Sequence, residues 1–496
     1  MTVGAFRLRN LTPWPPLQRS WRGGILILVF LLLVIQPGLA APESPLEQAV
    51  GAEVARALRD TAAMGVHIVE LDTGETVYAY NPDEPRVIAS NSKLFTTAAA
   101  LDALGPGYFF ETRLLMRGAV EGGSLRGDLG VVGAGDPQIS GREYGGDSYA
   151  AFRPWAAALR ERGIRRVKGD LYLAHGLFEQ LRVHPNWPRD QATEWYEAPV
   201  DALSFEDNCI LVRVWPGKAG HRAVVETVPP VQLLDLDNRA TTSRRRRGSR
   251  LFVGRSGSLL SVKGSIDAGS GPFETWVTVP DPVLYFGTAL RAALAEEGIA
   301  VEGHLRPVPE LPGAVWERVA VHRSDLVTAL RTTNKRSQNF YAETLAKLVG
   351  AERCGQGSWA AGVRAIGEFL VSIGVPRGTF IMVDGSGMSR ENQFAPRAVT
   401  ILLRHMFFHP AGNEFAQSLP YSGEEELKGW RRRLASPPYR GNVFAKTGTL
   451  NGVSALSGYA KAVSGKTYAF SILINRSRGD AHAAQDRIVM ALIDNG

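Results

Sequence analysis

Ala89-Ser90-Asn91-Ser92-Lys93-Leu94-Phe95-Thr96-Thr97-Ala98-Ala99-Ala100-Leu101 sets a serine and a lysine three positions apart at the predicted start of a helix. Residues i and i+3 of a helix share a face, with Cβ atoms roughly 5–6 Å apart. The Ser90 hydroxyl and the Lys93 amine can therefore meet. Leu94, Ala98 and Leu101 recur at helical spacing, which predicts burial of the helix in a core. A serine hydroxyl is a weak nucleophile until a neighbour takes its proton, and a lysine takes one only while it is neutral. Burial and a second cation both lower a lysine pKa, so this pair calls for a dry setting and another basic group elsewhere in the chain. Taken alone, Ser-x-x-Lys is more commonly a helix N-cap serine beside a solvated lysine.

Working outward, Val66–Leu71 and Thr76–Tyr80 read as two strands joined by a turn at Asp72-Thr73-Gly74, leading directly into Ser90. From about Thr112 to Pro280 the chain changes to short strands and glycine turns, and a helix is expected over Val283–Glu297, ended by Gly298. Beyond Pro312 helices return: Ser324–Leu330, Ser337–Val349 closed by Gly350, and Ser358–Ile373 closed by Gly374. Three strand-like runs, Val443–Thr447, Val453–Ala460 and Thr467–Ile474, precede a last helix over about Ala481–Ile493. This order predicts an α+β domain built from both ends of the chain and interrupted by a long β-rich insertion.

Two later stretches supply what Ser90 and Lys93 lack. Ser337-Gln338-Asn339 gives Ser-x-Asn at a helix start, and Lys446-Thr447-Gly448-Thr449 gives Lys-Thr-Gly on a strand. In acyl transfer Ser337 can relay a proton to a leaving amine, and Asn339 can bond a substrate amide and hold the lysine. Lys446 can supply the second positive charge. Thr447 and Thr449 can bond a substrate carboxylate, and Gly448 lets an edge strand approach a peptide closely. The N–H groups of Ser90 and Thr449 can stabilise a tetrahedral oxyanion. Singly, each motif is better explained as a cap, a polar helix residue or a strand entering a turn. Together, in this order and on these elements, they form the set of the penicillin-recognising serine enzymes.

The chain resembles the penicillin-binding proteins of peptidase family S13, the low-molecular-mass class C D-alanyl-D-alanine carboxypeptidases/endopeptidases. Asp384-Gly385-Ser386-Gly387-Met388-Ser389-Arg390 is similar to the family's Asp-Gly-Ser-Gly-Leu-Ser-Arg stretch. Ala198-Pro199-Val200-Asp201-Ala202-Leu203 is similar to its Ala-Pro-Val-x-Ala-Leu segment, and Gly133-Ala134-Gly135-Asp136-Pro137 to its Gly-Gly-Gly-Asp-Pro loop. The long separation of Ser90 from Ser337 suits the family's nested inserts and not a compact class A β-lactamase. The resemblance implies a transpeptidase/β-lactamase-like catalytic domain I over residues 41–112 and 309–496, an insert domain II over 113–205 and 276–308, and a nested domain III over 206–275. It implies hydrolysis of peptidoglycan stem peptides through an acyl-enzyme on Ser90, as a carboxypeptidase, a D,D-endopeptidase or both, with β-lactams as covalent inhibitors and no cofactor. It also implies that Arg390 and Asn451 lie near the donor side chain, Asn451 standing where the family often has Gln. Around Leu181–Pro188 no carboxylate occupies the place of the family aspartate that contacts the diamino-acid amine, which leaves the stem-peptide preference open. A β-lactamase or esterase on the same constellation, and a non-catalytic wall-binding protein, are the rival readings.

The 496 residues favour two to four domains, and 45% hydrophobic with 21% charged residues is the composition of an ordinary globular protein. Arg7, Arg9, Arg19 and Arg22 precede the apolar run Ile25–Ile35 and the small-residue end Pro37-Gly38-Leu39-Ala40-Ala41. That run falls short of the roughly 20 residues of a membrane span, so residues 1–40 are read as a signal peptide, with export to the periplasm or the outer membrane face and membrane contact only through an uncleaved signal. Cys209 and Cys354 are too far apart in sequence to show a disulfide framework, and pairing or two free thiols are equally open. The net charge of +7 fits work near acidic wall polymers. The run Arg244–Arg247 lacks interleaved aromatics and reads as a solvated loop, not a nucleic-acid site. No metal site is expected: neither cysteine has a CxxC partner, and the nine histidines are read as lacking a paired ligand spacing.

Overall fold

The structure is a computed structural model that describes residues 44–230, 232–244, 248–313 and 315–496. The expected signal peptide, and Arg245–Arg247 of the arginine run, lie outside the described residues. Among the described residues no helix is long and apolar enough to cross a membrane.

A five-stranded antiparallel sheet carries the Lys-Thr-Gly motif on its edge strand, in the order Val443–Leu450, Val453–Lys461, Thr467–Ser477, Thr61–Glu70, Thr76–Tyr80. The hairpin read from the sequence is thus the far side of a sheet whose near edge is the Lys-Thr-Gly strand. Thr61–Glu70 pairs with Thr467–Ser477, so the two ends of the chain meet in mid-sheet. Both faces are covered, and the strands sort their side chains by the period of two. Ile68, Phe470, Ile472 and Ile474 pack under the helices Pro45–Leu58 and Ala481–Asn495. Val69, Ala455, Tyr459, Ala469 and Leu473 face the other layer, made of the helices Ser92–Leu104, Leu326–Lys335, Asn339–Cys354, Trp359–Ser372 and Pro396–Phe408. Ser92–Leu104 is buried on every side through Leu101, which marks it as the hub of this layer rather than an amphipathic surface helix.

The insertion has two further cores. Strands Phe109–Glu121, Ser124–Val132 and Glu317–Asp325 anchor a seven-stranded mixed sheet. Leu114, Leu129 and Val131 of this sheet pack with Trp155, Leu159, Phe286 and Leu290 from the helices Arg153–Glu161 and Pro282–Glu296. Beyond it, two three-stranded sheets, Asp235–Ser243/Leu259–Asp267/Arg250–Ser256 and Phe273–Thr278/Cys209–Trp215/Val224–Val228, enclose a small core around Val212, Val262 and Ile266. Glu317–Asp325 pairs with Phe109–Glu121 in the insert's sheet, although the sequence reading returned the chain to the catalytic unit at residue 309.

Other differences have local causes. The helix Arg153–Glu161 interrupts the region read as β-rich, with Pro154 in its first turn, where the missing N–H costs nothing. The helix expected to close at Gly350 runs on to Cys354 and ends at Gly355, whose φ of 68° is left-handed. Gly350 is there for close packing: a Cβ on it would lie 2.6 Å from the Gly362 nitrogen of the neighbouring helix. Cys209 and Cys354 are both free thiols. His405 and His409 stand four positions apart, which corrects the expectation that the histidines lack a paired spacing.

Candidate active site

Ser90 sits in a tight turn, Ala89–Asn91, that runs straight into the helix Ser92–Leu104. Ala89 adopts φ 50°, a left-handed conformation that an alanine holds only where its surroundings enforce it. Asn91 fixes the turn to the sheet by donating to Ser457 Oγ at 2.8 Å. The geometry expected of positions i and i+3 is met: Lys93 Nζ lies 3.0 Å from Ser90 Oγ, hydrogen-bonded to it. The amine is completely buried and donates also to Asn339 Oδ1 at 2.7 Å and to the Ser386 carbonyl at 2.8 Å.

Ser337 precedes the helix Asn339–Cys354 and holds φ 56°, again left-handed for a residue with a Cβ. Its hydroxyl accepts from Lys446 Nζ at 2.9 Å, and the same amine donates to the Thr447 carbonyl at 2.9 Å. The Val443–Leu450 strand is a sheet edge, and Ala445 N–H leaves that edge to reach the Pro420 carbonyl at 2.9 Å. By the alternation of antiparallel pairing, the N–H groups of Thr447 and Thr449 point off the same edge. A Cβ on Gly448 would lie 2.5 Å from the Ile88 carbonyl oxygen and 3.1 Å from the Ser90 nitrogen, so only glycine lets the strand sit this close to the Ser90 turn.

Three groups to which the sequence assigns no role, although Asp384 opens one of the quoted stretches, hold these pieces in place. Glu343, on the Ser337 helix, is fully buried and accepts from Gly385 N–H at 2.9 Å, Ser386 N–H at 2.7 Å and Trp359 Nε1 at 2.7 Å. Asp384, also fully buried, accepts from Gly387 N–H at 2.8 Å, Ser389 N–H at 2.7 Å and Trp187 Nε1 at 3.1 Å. Between them the two carboxylates shape the 384–390 loop that presents the Ser386 carbonyl to Lys93. The third is the Tyr196 carbonyl, which takes the Asn339 side-chain N–H at 2.9 Å. Asn339 therefore bridges Lys93 to the insert, a task beyond the substrate contact expected of it. Spacing within a motif carries no signal for the contacts that bring Glu343 to Gly385 and Ser386, or Tyr196 to Asn339, since those join segments distant in sequence.

The electrostatics correct one expectation. Burial pushes the Lys93 pKa down to about 7, against the nearby charges of Glu343 and Asp384, which raise it. Lys446, equally buried, is pushed well below the ordinary lysine range, first by its burial and then by Lys93. Dryness, more than the charge of Lys446, keeps Lys93 near neutrality, and two buried amines in one site cannot both hold a proton cheaply. Glu343 is raised to about 7 by its burial and by Asp384.

A cleft of about 920 Å³ opens beside these groups, lined at one end by Ser337, Lys446, Thr447 and Thr449. Arg390 and Asn451, the residues expected near the donor side chain, are exposed and joined by a hydrogen bond from the Arg390 guanidinium to the Asn451 carbonyl. Asn451 reaches it from the two-residue Asn451-Gly452 turn between the edge strand and its neighbour. All ten residues singled out from the sequence thus fall on the edge strand, its turn and the loops and helix starts facing it.

Comparison with known proteins agrees with this architecture. A D-alanyl-D-alanine carboxypeptidase of Actinomadura sp. (strain R39) is 33% identical over 97% of this chain and 93% of its own length. The D-alanyl-D-alanine carboxypeptidase DacB of Haemophilus influenzae is 27% identical over 88% of this chain and 90% of its own. The crystal structure of penicillin binding protein 4 (dacB) from Haemophilus influenzae superposes with a TM-score of 0.77 at 25% identity, covering 89% of this chain and 98% of that one. The fold is α+β, of the kind shared by these proteins. With residues 46–494 matching its model, the chain belongs to the D-Ala-D-Ala carboxypeptidase 3 (S13) family.

Proposed function

We propose that this S13-family enzyme cleaves the bond after a D-alanine in peptidoglycan stem peptides through an acyl-enzyme on Ser90, releasing a terminal D-alanine or opening a D,D cross-link. The observation that carries this reading is the pairing of two buried amines with two serines in one site: Lys93 with Ser90 at 3.0 Å and Lys446 with Ser337 at 2.9 Å. Neutral Lys93 takes the Ser90 proton as the oxygen attacks the penultimate carbonyl. The N–H groups of Ser90 and Thr449 receive the oxyanion. When the tetrahedral species collapses, the scissile C–N bond breaks and the departing amine takes, through Ser337, the proton that Lys93 received from Ser90. Water then attacks the acyl carbonyl as Lys93 takes one of its protons, and the Ser90 C–O bond breaks with that proton returning from Lys93 to the Ser90 oxygen.

The substrate carboxylate has a part in activation. Settling against Lys446, Thr447 and Thr449, it favours the protonated form of Lys446, and that charge then lowers the proton affinity of Lys93. Substrate binding would thereby complete the base. β-Lactams carry a comparable carboxylate and a strained amide, and the Haemophilus influenzae penicillin binding protein 4 has been solved with a β-lactam. Export to the periplasm or outer membrane face, and the division into a catalytic domain with two nested inserts, belong to the same reading.

Fluorescent penicillin is expected to label the wild type and not Ser90→Ala, and mass analysis of digested muropeptides is expected to show D-alanine loss or separated dimers. Equal labelling of both proteins, or of neither, would overturn the assignment.

A further inference from the structure

The cleft meets the candidate site at Ser337, Lys446, Thr447 and Thr449, while Ser90 and Lys93 stand outside its lining, and it is much larger than a small leaving group requires. A single alanine leaving group needs room for one methyl beyond its amine and carboxylate, whereas about 920 Å³ is the scale of a drug-sized ligand. It also opens on one particular side. Its lining includes Ser337, which in the proposed reaction hands the proton to the departing amine, and excludes Arg390 and Asn451 on the donor side. The extra space therefore continues from the leaving group.

Its charge is lopsided. Arg331, Lys335, Arg336, Lys428, Arg432 and Arg433 line it, set against Glu424, Glu426 and Asp486. Two of the cations are already committed within the protein. Lys335 pairs with Glu424, and Arg433 with Asp486 at 2.7 Å. Among the described residues, Arg331, Arg336, Lys428 and Arg432 are exposed and have no hydrogen-bond or ion-pair partner, and Glu426 is the single acidic residue of the lining left unpaired. Four free cations around one concavity, three of them arginines suited to paired contacts with carboxylates, form a site for a ligand with several negative charges.

We infer that Arg331, Arg336, Lys428 and Arg432 form a leaving-group subsite that selects amines belonging to a polycarboxylate peptide, over and above the carboxylate held by Thr447 and Thr449. The inference rests on the proposed acyl transfer for its direction, and on the lining charges for its chemistry. A substrate whose leaving amine is part of a second acidic peptide gains these contacts. A lone D-alanine does not reach them.

The test uses two substrates with one acyl donor. In the first the leaving peptide carries two carboxylates beyond the one next to its amine; in the second those two are carboxamides. The wild type is expected to prefer the acid in kcat/KM by about tenfold at low salt, and raising the salt should shrink that ratio. In Arg331→Gln/Arg432→Gln the ratio should fall toward one, and a ratio cancels any general loss of activity. Arg336→Gln/Lys428→Gln provides a second, independent pair should the first variant fold poorly. The free leaving peptides are also titrated calorimetrically into Ser90→Ala, which cannot be acylated; the acid should bind several-fold more tightly than the amide. That binding preference surviving a failure of Ser90 labelling would uphold the subsite while sinking the catalytic reading. A wild-type ratio near one, a ratio kept in both double variants, or equal inhibition of both substrates by inorganic polyphosphate without acid preference would overturn the subsite.

Discussion

Glu343 Oε1 accepts the Ser386 N–H at 2.7 Å, and the carbonyl of that same Ser386 accepts from Lys93 Nζ at 2.8 Å. The two peptide units that flank the Ser386 Cα thus couple a buried carboxylate to the proposed general base, and Glu343 affects Lys93 through both the loop geometry and its charge.

Removing the Glu343 charge tests that coupling. With the base required neutral, kcat/KM is expected to rise with pH through about 7, where Lys93 loses its proton. Glu343 raises the Lys93 pKa, so Glu343→Gln should move this acid limb to lower pH. The substituted amide has one acceptor oxygen in place of two for three N–H donors, and the loosened loop should cost between about tenfold and a hundredfold in kcat. A pH–rate profile of the two proteins separates the effects.

Ser337 offers a test of strain against chemistry. At φ 56° a glycine is at ease and an alanine is not. Ser337→Gly is expected to be more stable than Ser337→Ala by about 1 kcal/mol in denaturant melts. Both should lose about 10²-fold or more in kcat, because neither can relay a proton to the leaving amine.

Gly448→Ala places a methyl group 2.5 Å from the Ile88 carbonyl oxygen. The edge strand must then move off the Ser90 turn, at a cost of about 1–3 kcal/mol in stability. The penicillin acylation rate should fall at least about tenfold, since the carboxylate-binding hydroxyls of Thr447 and Thr449 move with the strand.

Glu197 is buried, and among the described residues neither of its carboxylate oxygens has a hydrogen-bond partner. Burial, with Asp190 and Glu194 nearby, raises its pKa to about 7. A carboxyl whose folded pKa is raised contributes stability that is complete below the ordinary carboxylate range and is lost as pH rises through about 7. Thermal melts of Glu197→Gln and wild type from pH 5 to 8 should therefore shift in favour of the variant by on the order of 1–2 kcal/mol as pH rises.

The candidate-site groups were legible because each announces itself locally: Ser90 and Lys93 by helical spacing, Ser337-Gln338-Asn339 by its place at a helix start, Lys446-Thr447-Gly448 by a strand with a glycine. The terminal strands were legible for the same reason, as alternating or wholly apolar runs between turn residues. What holds the site was not. Glu343 reads as an ordinary helix residue until the fold sets it against Gly385 and Ser386, and Tyr196 contributes a main-chain carbonyl, which no side-chain pattern advertises. Gly350 was misjudged because a glycine that ends a helix and one that lets two helices touch look alike in sequence; only the approach of Gly362 distinguishes them. Lys446 was assigned the task of discharging Lys93 because proximity could be guessed from the motifs, whereas the degree of desolvation depends on the finished core.

The pairing of Thr61–Glu70 with Thr467–Ser477 has a consequence for biosynthesis. A ribosome releases the Ser90 turn long before it reaches the strand bearing Lys446 and the neighbour that anchors it. A nascent polypeptide would hold Ser90 without Lys446 beside it, so hydrolytic power would switch on only after the Lys446 strand and its neighbours have been made and paired.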